Sequence, residues 1–231
     1  MKVEIWSDVV CPFCYIGKRK FEKALEQFSP KDKVEVLWRS FQLDPDLKPI
    51  PGQSVHEYLG RRKGTTTAQG KQMNDQMAAM AKDEGLVYDF DNAIINNTFL
   101  AHQLIHLAHT RHKQDQMKER LFAAYYTQGQ DVGNIDTLVK LAEEVGLDGA
   151  EAREALQNQT YADEVQQDIV RAQQVGVRGV PFFVFNNKYA VSGAQPTELF
   201  KEVLEKVWEE EKPTILDGST GGTCTPDGVC D

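Results

Sequence analysis

Asp8-Val9-Val10-Cys11-Pro12-Phe13-Cys14-Tyr15-Ile16-Gly17 decides the fold, because its two cysteines fall where one side-chain periodicity gives way to another. Upstream, Val3 and Ile5 alternate with charged or polar neighbours across residues 2–7, the period of a strand. Downstream, Ile16, Phe21, Leu25 and Phe28 keep helical spacing until Ser29-Pro30 ends it. Val34, Val36 and Trp38 then return to period two. The chain opens as strand, helix and strand, with the cysteines at the first junction.

That junction has a chemical meaning. A residue at a helix N-terminus faces unpaired backbone amides and the positive end of the helix dipole, both of which favour an anion. The spacing therefore predicts a Cys11 thiol of lowered pKa that attacks, and a Cys14 one turn along that resolves a mixed disulfide. Pro12 suits the first helical turn, where its missing N–H costs nothing. Two plainer readings compete, a buried thiol pair and half of a zinc site. Zinc needs two more ligands and no second Cys-x-x-Cys exists, so no metal is expected, and no cofactor either.

Beyond a proline-containing connection from Leu43 to Gly52, helical patterns recur around residues 54–62, 66–84, 92–112, 115–127, 135–145, 149–158 and 161–176. Breaks at Gly64, Gly85, Gly129 and Gly146 separate several of them. No strand pattern interrupts the block, which predicts an inserted helical subdomain over residues 46–176. Pro181-Phe182-Phe183-Val184-Phe185 then begins a strand that turns at Asn186-Asn187, a tight two-residue loop, into Lys188-Tyr189-Ala190-Val191. A last amphipathic helix follows from about Pro196 to Glu210. The expected architecture is an α/β domain made of residues 1–45 and 177–211, with the helical insertion between, and a Gly/Thr/Pro/Asp-rich tail over 212–231.

The 231-residue chain carries a formal net charge of −9, which argues against nucleic acid or an anionic membrane as its main partner. Its 41% hydrophobic and 26% charged content fit an ordinary globular protein. No apolar run is long enough for a signal peptide or a membrane span, so a cytoplasmic protein is expected. In a reducing compartment, the close pairs Cys11/Cys14 and Cys224/Cys230 mean catalysis, redox sensing or metal more often than structural bridges. Cys224 and Cys230 flank Pro226-Asp227-Gly228, a turn sequence that would bring the two thiols together. They read equally as a second redox pair relaying electrons to Cys11/Cys14 and as an incidental exposed pair.

Four histidines, His102, His106, His109 and His112, share one helical face and read either as a metal stripe or, by default, as a solvated or partly buried face. Met73, Met77 and Met80 form a stripe whose default reading is core filling, with a permissive peptide groove as the alternative. Trp6 and Trp38 read as core. Asp8, three residues before Cys11, is a candidate for ordering the loop or assisting proton transfer.

The opening motif, together with Asn97-Thr98-Phe99-Leu100-Ala101-His102 and Gly176-Val177-Arg178-Gly179-Val180-Pro181-Phe182-Phe183-Val184, resembles the DsbA-like thioredoxin superfamily over about residues 1–210. Within it, the FrnE-like branch is the nearest resemblance, related to 2-hydroxychromene-2-carboxylate isomerase and kappa-class glutathione transferase. The resemblance implies an α/β thioredoxin-like fold with a large inserted helical subdomain. It also implies a cis-proline at Pro181, with Val180 offering backbone groups to an extended substrate, and substrate contacts at Phe13 and His102. The isomerases and transferases are similar to one another in having serine where Cys11 stands, with glutathione supplying the thiol. Both cysteines are kept here, which favours disulfide exchange with protein substrates, small thiols or glutathione. A glutathione-dependent isomerase or transferase of an aromatic small molecule is the alternative, and a chaperone-like binding module a further one. Oligomeric state is not legible.

Overall fold

The structure is a computed structural model that describes residues 1–211. β1 (Lys2–Ser7) runs into α1 (Pro12–Glu26), and a short 3-10 turn leads to β2 (Glu35–Ser40). Seven helices follow before the next strand: α2 (Val55–Arg62), α3 (Thr67–Asp83), α4 (Phe99–Thr110), α5 (Gln114–Tyr126), α6 (Ile135–Glu144), α7 (Gly149–Gln157) and α8 (Ala162–Val175). The hairpin β3 (Phe182–Phe185) and β4 (Tyr189–Ser192), then α9 (Thr197–Glu211), complete the described chain. This is the thioredoxin-like α/β arrangement with a helical insertion.

The sheet order is β2-β1-β3-β4, with β1 parallel to β2 and antiparallel to β3. A parallel pair joined through a helix is the unit that the opening alternation predicts. β1 is interior to the sheet and covered on both faces, so Val3, Glu4, Ile5, Trp6 and Ser7 are all buried. Val3 and Ile5 pack into the main core with Phe21 of α1 and Phe200 of α9. Trp6 faces the other way, against Ala172 of α8 and Val177.

Glu4 shares that second face and is buried, which a carboxylate tolerates only with partners. Arg39 Nε donates to Glu4 Oε1 at 2.8 Å and Arg171 Nη2 to Glu4 Oε2 at 2.7 Å. Asp168 extends the polar seam between α8 and the sheet. Its Oδ2 accepts the Ser40 amide at 2.8 Å, its Oδ1 accepts Arg39 Nη1 at 2.9 Å, and its backbone carbonyl accepts Trp6 Nε1 at 3.0 Å. His106 Nε2, from α4, lies 3.1 Å from Oδ2. One side chain thereby fastens α8 to β2 and α4, while its backbone holds β1.

Two local expectations differ from the structure. The helix predicted from residue 92 begins only at Phe99, because asparagine side chains take the backbone amides that helix would need. Asn96 Oδ1 accepts the Asn97 amide at 2.7 Å and Asn97 Oδ1 accepts the Phe99 amide at 2.9 Å. The hairpin loop has three residues, since Phe185 pairs with Tyr189 and the Lys188 amide bonds back to the Phe185 carbonyl at 2.9 Å. Asn186 and Asn187 take positive φ of 48° and 54°, which asparagine tolerates better than most residues.

Burial alone raises the Asp168 pKa, but hydrogen bonds from His106 and the Ser40 amide, with the Arg39 charge, outweigh it and hold it below the usual value. A depressed folded pKa contributes stability above the unfolded value, near 3.9 for aspartate, and that contribution is lost as pH falls through the folded one. Asp168→Ala is expected to cost about 3 kcal/mol at neutral pH by denaturant titration, with a shallower loss of stability below about pH 4 than the wild type.

Candidate active site

The C-terminal end of β1 delivers the chain to a tight turn in which the Cys11 amide bonds to the Asp8 carbonyl at 3.2 Å. Cys11 occupies the N-cap of α1 in an extended conformation, φ −92° and ψ 110°, and Pro12 begins the helix. The Cys14 amide bonds to the Cys11 carbonyl at 3.0 Å. Tyr88 closes the turn from the insertion side, its hydroxyl donating to the Pro12 carbonyl at 2.7 Å.

The second half of the site arrives from 169 residues away. Cys11 Sγ lies 3.4 Å from the Val180 carbonyl, which accepts its S–H, and the Val180–Pro181 peptide bond is cis. The Pro181 carbonyl is engaged by the Gly193 amide of the hairpin at 2.8 Å. Gly17 permits this approach, since a Cβ there would stand 2.9 Å from Pro181 Cγ.

Cys11 opens onto a cleft of about 440 Å³ whose walls include Val10, Leu43, Met73, Met77, Tyr125 and Val180. Phe13 is 39% exposed and stands between this cleft and a smaller hollow edged by Met80 and Ala194. The sulfurs are unequal: Cys11 is 3% exposed at the cleft wall, whereas Cys14 is 0% exposed and does not line it. Met73 and Met77 thus border the cleft, where core filling was their default reading.

The electrostatics correct one expectation. The helix N-terminus alone was to acidify Cys11, yet its thiol is pushed well above the ordinary cysteine value. Hydrogen bonding with the Cys14 sulfur is the foremost cause, followed by burial, the Cys14 charge and the Asp8 carboxylate. The Cys14 backbone amide pulls the other way without prevailing. Neighbouring thiols titrate as a unit, and the first charge opposes the second.

Beneath the pair lies a polar layer. Asp8 is buried; its Oδ2 accepts the Leu43 amide at 2.8 Å and its Oδ1 accepts His102 Nε2–H at 3.3 Å. Burial opposes its charge, but those hydrogen bonds, with the charges of His102 and Lys118, hold its pKa below the usual range. His102 is pulled below the ordinary histidine value, foremost by burial, which favours its neutral form. At 1% exposure it lies behind the cleft wall, and its ring serves Asp8; the family resemblance implied a substrate contact. His106 is likewise taken up by Asp168 and Ser40, and no group of three metal-ligating side chains occurs among the described residues.

Lys118 completes the layer; it lies in the helical stretch over 115–127, from which the sequence singles out no candidate functional residue. Its helical position was the available signal. Gln114, Met117, Leu121, Phe122 and Tyr125 form the buried stripe of α5, and residue 118 falls on it. Cys224 and Cys230 lie outside the described residues.

Residues 2–205 match the DSBA-like thioredoxin domain family. The chain belongs to it. Among curated proteins, the Uncharacterized protein YwbO of Bacillus subtilis (strain 168) is 34% identical over 208 residues, 87% of this chain and 94% of that protein. Among solved structures, the probable DsbA oxidoreductase SCO1869 from Streptomyces coelicolor is 40% identical, superposes with a TM-score of 0.86, and is matched over 100% of this chain and 98% of its own. The cytosolic disulfide reductase DsbM from Pseudomonas aeruginosa, 17% identical with a TM-score of 0.63 over 91% of this chain and 100% of its own, shares the DsbA-like fold alone.

Gly17 offers a test of how α1 and the Pro181 loop fit together. Overpacking at so tight an approach exceeds the gain in helix propensity, so Gly17→Ala is expected to destabilise by about 1–2 kcal/mol. Thermal denaturation of both proteins gives the comparison.

Proposed function

We propose that this chain is a thiol–disulfide oxidoreductase in which Cys11 attacks and Cys14 resolves. One observation carries the reading: of two sulfurs at the head of one helix, the first edges a substrate-sized cleft and the second is sealed behind it. A substrate sulfur entering the cleft meets Cys11, and a mixed disulfide formed there remains within one helical turn of Cys14.

In the reducing direction, a Cys11 thiolate attacks one sulfur of a substrate disulfide, and the other leaves as a thiolate that takes a proton. Cys14, as thiolate, then attacks Cys11 Sγ, the substrate's second thiol departs, and a Cys11–Cys14 disulfide remains. Two electrons pass from protein to substrate, and the same steps in reverse oxidise a dithiol. The two thiols titrate as a unit, so the attacking thiolate is a property of the pair, and only one is needed at a time.

Val180 lends its backbone to an extended substrate segment beside Cys11, a form of strand addition, with Pro181 shaping that edge. Phe13, exposed beside the sulfur, supplies apolar contact. Residues 1–45 with 177–211 carry the redox pair in this reading, and residues 46–176 supply the far wall of the cleft. Protein disulfides and small-thiol disulfides, glutathione's included, are the substrate classes. A glutathione-dependent isomerase would place a borrowed thiol where Cys11 already stands, and nothing in the geometry favours it.

Reduction of insulin disulfides with a small dithiol as donor tests the reading. Wild type is expected to accelerate precipitation of the B chain, Cys11→Ser to lose the acceleration, and Cys14→Ser to accumulate a mixed disulfide visible on a non-reducing gel. Full turnover by Cys11→Ser would sink the proposal.

A further inference from the structure

Part of the cleft wall is a separate piece of architecture. α2 and α3 form a hairpin that packs closely on itself: a Cβ on Gly60 would stand 2.7 Å from the Thr66 carbonyl oxygen, and one on Gly70 would strike the His56 carbonyl. Asn74 Nδ2 also donates to His56 Nδ1 at 2.9 Å, so the two helices form one rigid unit. Gly52 and Gly85 bound the unit, with φ of 77° and 78°, a region that favours glycine. A Cβ on either would meet nothing within 4 Å, which leaves the backbone room to turn. α3 meets α1 toward its C-terminal end, where Ala81 is buried and Lys23 Nζ pairs with Glu84 at 2.6 Å. His56 Nε2 adds a tie to the exposed Asp91 carboxylate at 2.9 Å. At 17 residues α3 is about 25 Å long, so a small rotation about its C-terminal end carries α2 several ångströms.

Away from that pivot a clasp fastens the unit to the connection after β2. Asp44 Oδ2 accepts the Tyr58 hydroxyl at 2.7 Å and pairs with Arg62 Nη1 at 2.7 Å. Arg62 Nη1 also donates to the Tyr58 oxygen at 2.8 Å, and Arg62 Nη2 to the Leu43 carbonyl at 2.8 Å. The receiving side is held to the body of the protein. Asp8 Oδ2 takes the Leu43 amide at 2.8 Å, and Asn97 Nδ2 donates to the Pro45 carbonyl at 2.8 Å. Asp44, Tyr58 and Arg62 all line the cleft onto which Cys11 opens. The Arg62 and Asp44 side chains are 43% and 30% exposed, so water competes for the ion pair and the clasp is weak.

We propose that Tyr58, Arg62 and Asp44 determine specificity: while their clasp is closed, the α2–α3 unit limits Cys11 to low-molecular-weight disulfides, and a protein disulfide enters only when the clasp opens. The inference rests on the oxidoreductase reading and deepens it. The closed cleft of about 440 Å³ has the size of a small-molecule site and leaves Cys11 3% exposed. A small disulfide fits such a space whole. A disulfide in a protein carries backbone on both sides of each half-cystine, and that backbone meets the α2–α3 wall before its sulfur reaches Cys11. The exchange chemistry is the same for both classes; the clasp decides which arrives. Protein disulfides therefore react in proportion to the fraction of molecules in which the clasp is open.

Alkylation of Cys11 reads the clasp apart from catalysis. In the full chain carrying Cys14→Ser, the Cys11 rate is measured by peptide mass spectrometry with N-ethylmaleimide and with a maleimide attached closely to a carrier protein. Adding Asp44→Ala is expected to raise the ratio of carrier-borne to free reagent rates about fivefold. Tyr58→Phe, which keeps the ring and loses only the bridging hydroxyl, is expected to raise it in the same direction. An unchanged ratio in folded Asp44→Ala overturns the inference, and Tyr58→Phe decides in the same way if Asp44→Ala does not fold. With both cysteines present, Asp44→Ala is expected to speed insulin reduction about fivefold relative to reduction of bis(2-hydroxyethyl) disulfide. Equal effects on the two substrates in a protein that cycles overturn the inference alone. A wild type that reduces neither disulfide overturns it together with the oxidoreductase reading.

Discussion

β1 hydrogen-bonds along both edges and is covered on both faces, and every part of the site takes its position from it. Its C-terminal end launches the turn that caps α1 with Cys11. Its parallel edge fixes β2 in a register that pairs Ser7 with Ser40, which brings Trp38 over the buried lysine. Its antiparallel edge fixes β3, with Trp6 opposite Phe182, and so sets the height at which Val180 meets the sulfur. A slip of one residue would turn each side chain to the opposite face. The carbonyl beside Cys11 would then belong to a different residue.

The frame was open to a reader of the sequence because it follows from periodicity. Val3 and Ile5 announce β1, Phe21 and Leu25 announce α1, and the seven inserted helices fall on the stretches of helical spacing, α5 beginning one residue before its own. Where side chains capture backbone groups the pattern misleads, as Asn96 and Asn97 show by delaying α4. The Pro181 resemblance led to the loop beside Cys11, and it did so through a family likeness, since one proline before a strand carries little meaning alone.

The polar layer under the cysteines was much less legible, for a physical reason. Asp8, His102 and Lys118 lie far apart in the chain; the first two stand out there as candidates and Lys118 does not, and only tertiary packing brings them together and removes their water. Once water is gone, burial and neighbouring charge set each group's proton affinity, and residue type no longer does. At Cys11 the hydrogen bond with the Cys14 sulfur, and burial after it, outweigh the helix N-terminus that spacing points to. A local rule of helix ends holds at an exposed terminus and gives way to stronger neighbours at a closed one.

All seven inserted helices separate β2 from β3, so β1 cannot acquire its antiparallel neighbour until the polypeptide beyond residue 180 has been made. Translation adds roughly 5–20 residues each second, which leaves that flank of the nascent strand open for several seconds or more. An open strand edge invites pairing with other chains. The architecture that joins Cys11 to a carbonyl far along the chain therefore makes the youngest stage of the molecule its most adhesive, and crowding of ribosomes on one message is where that weakness would be felt first.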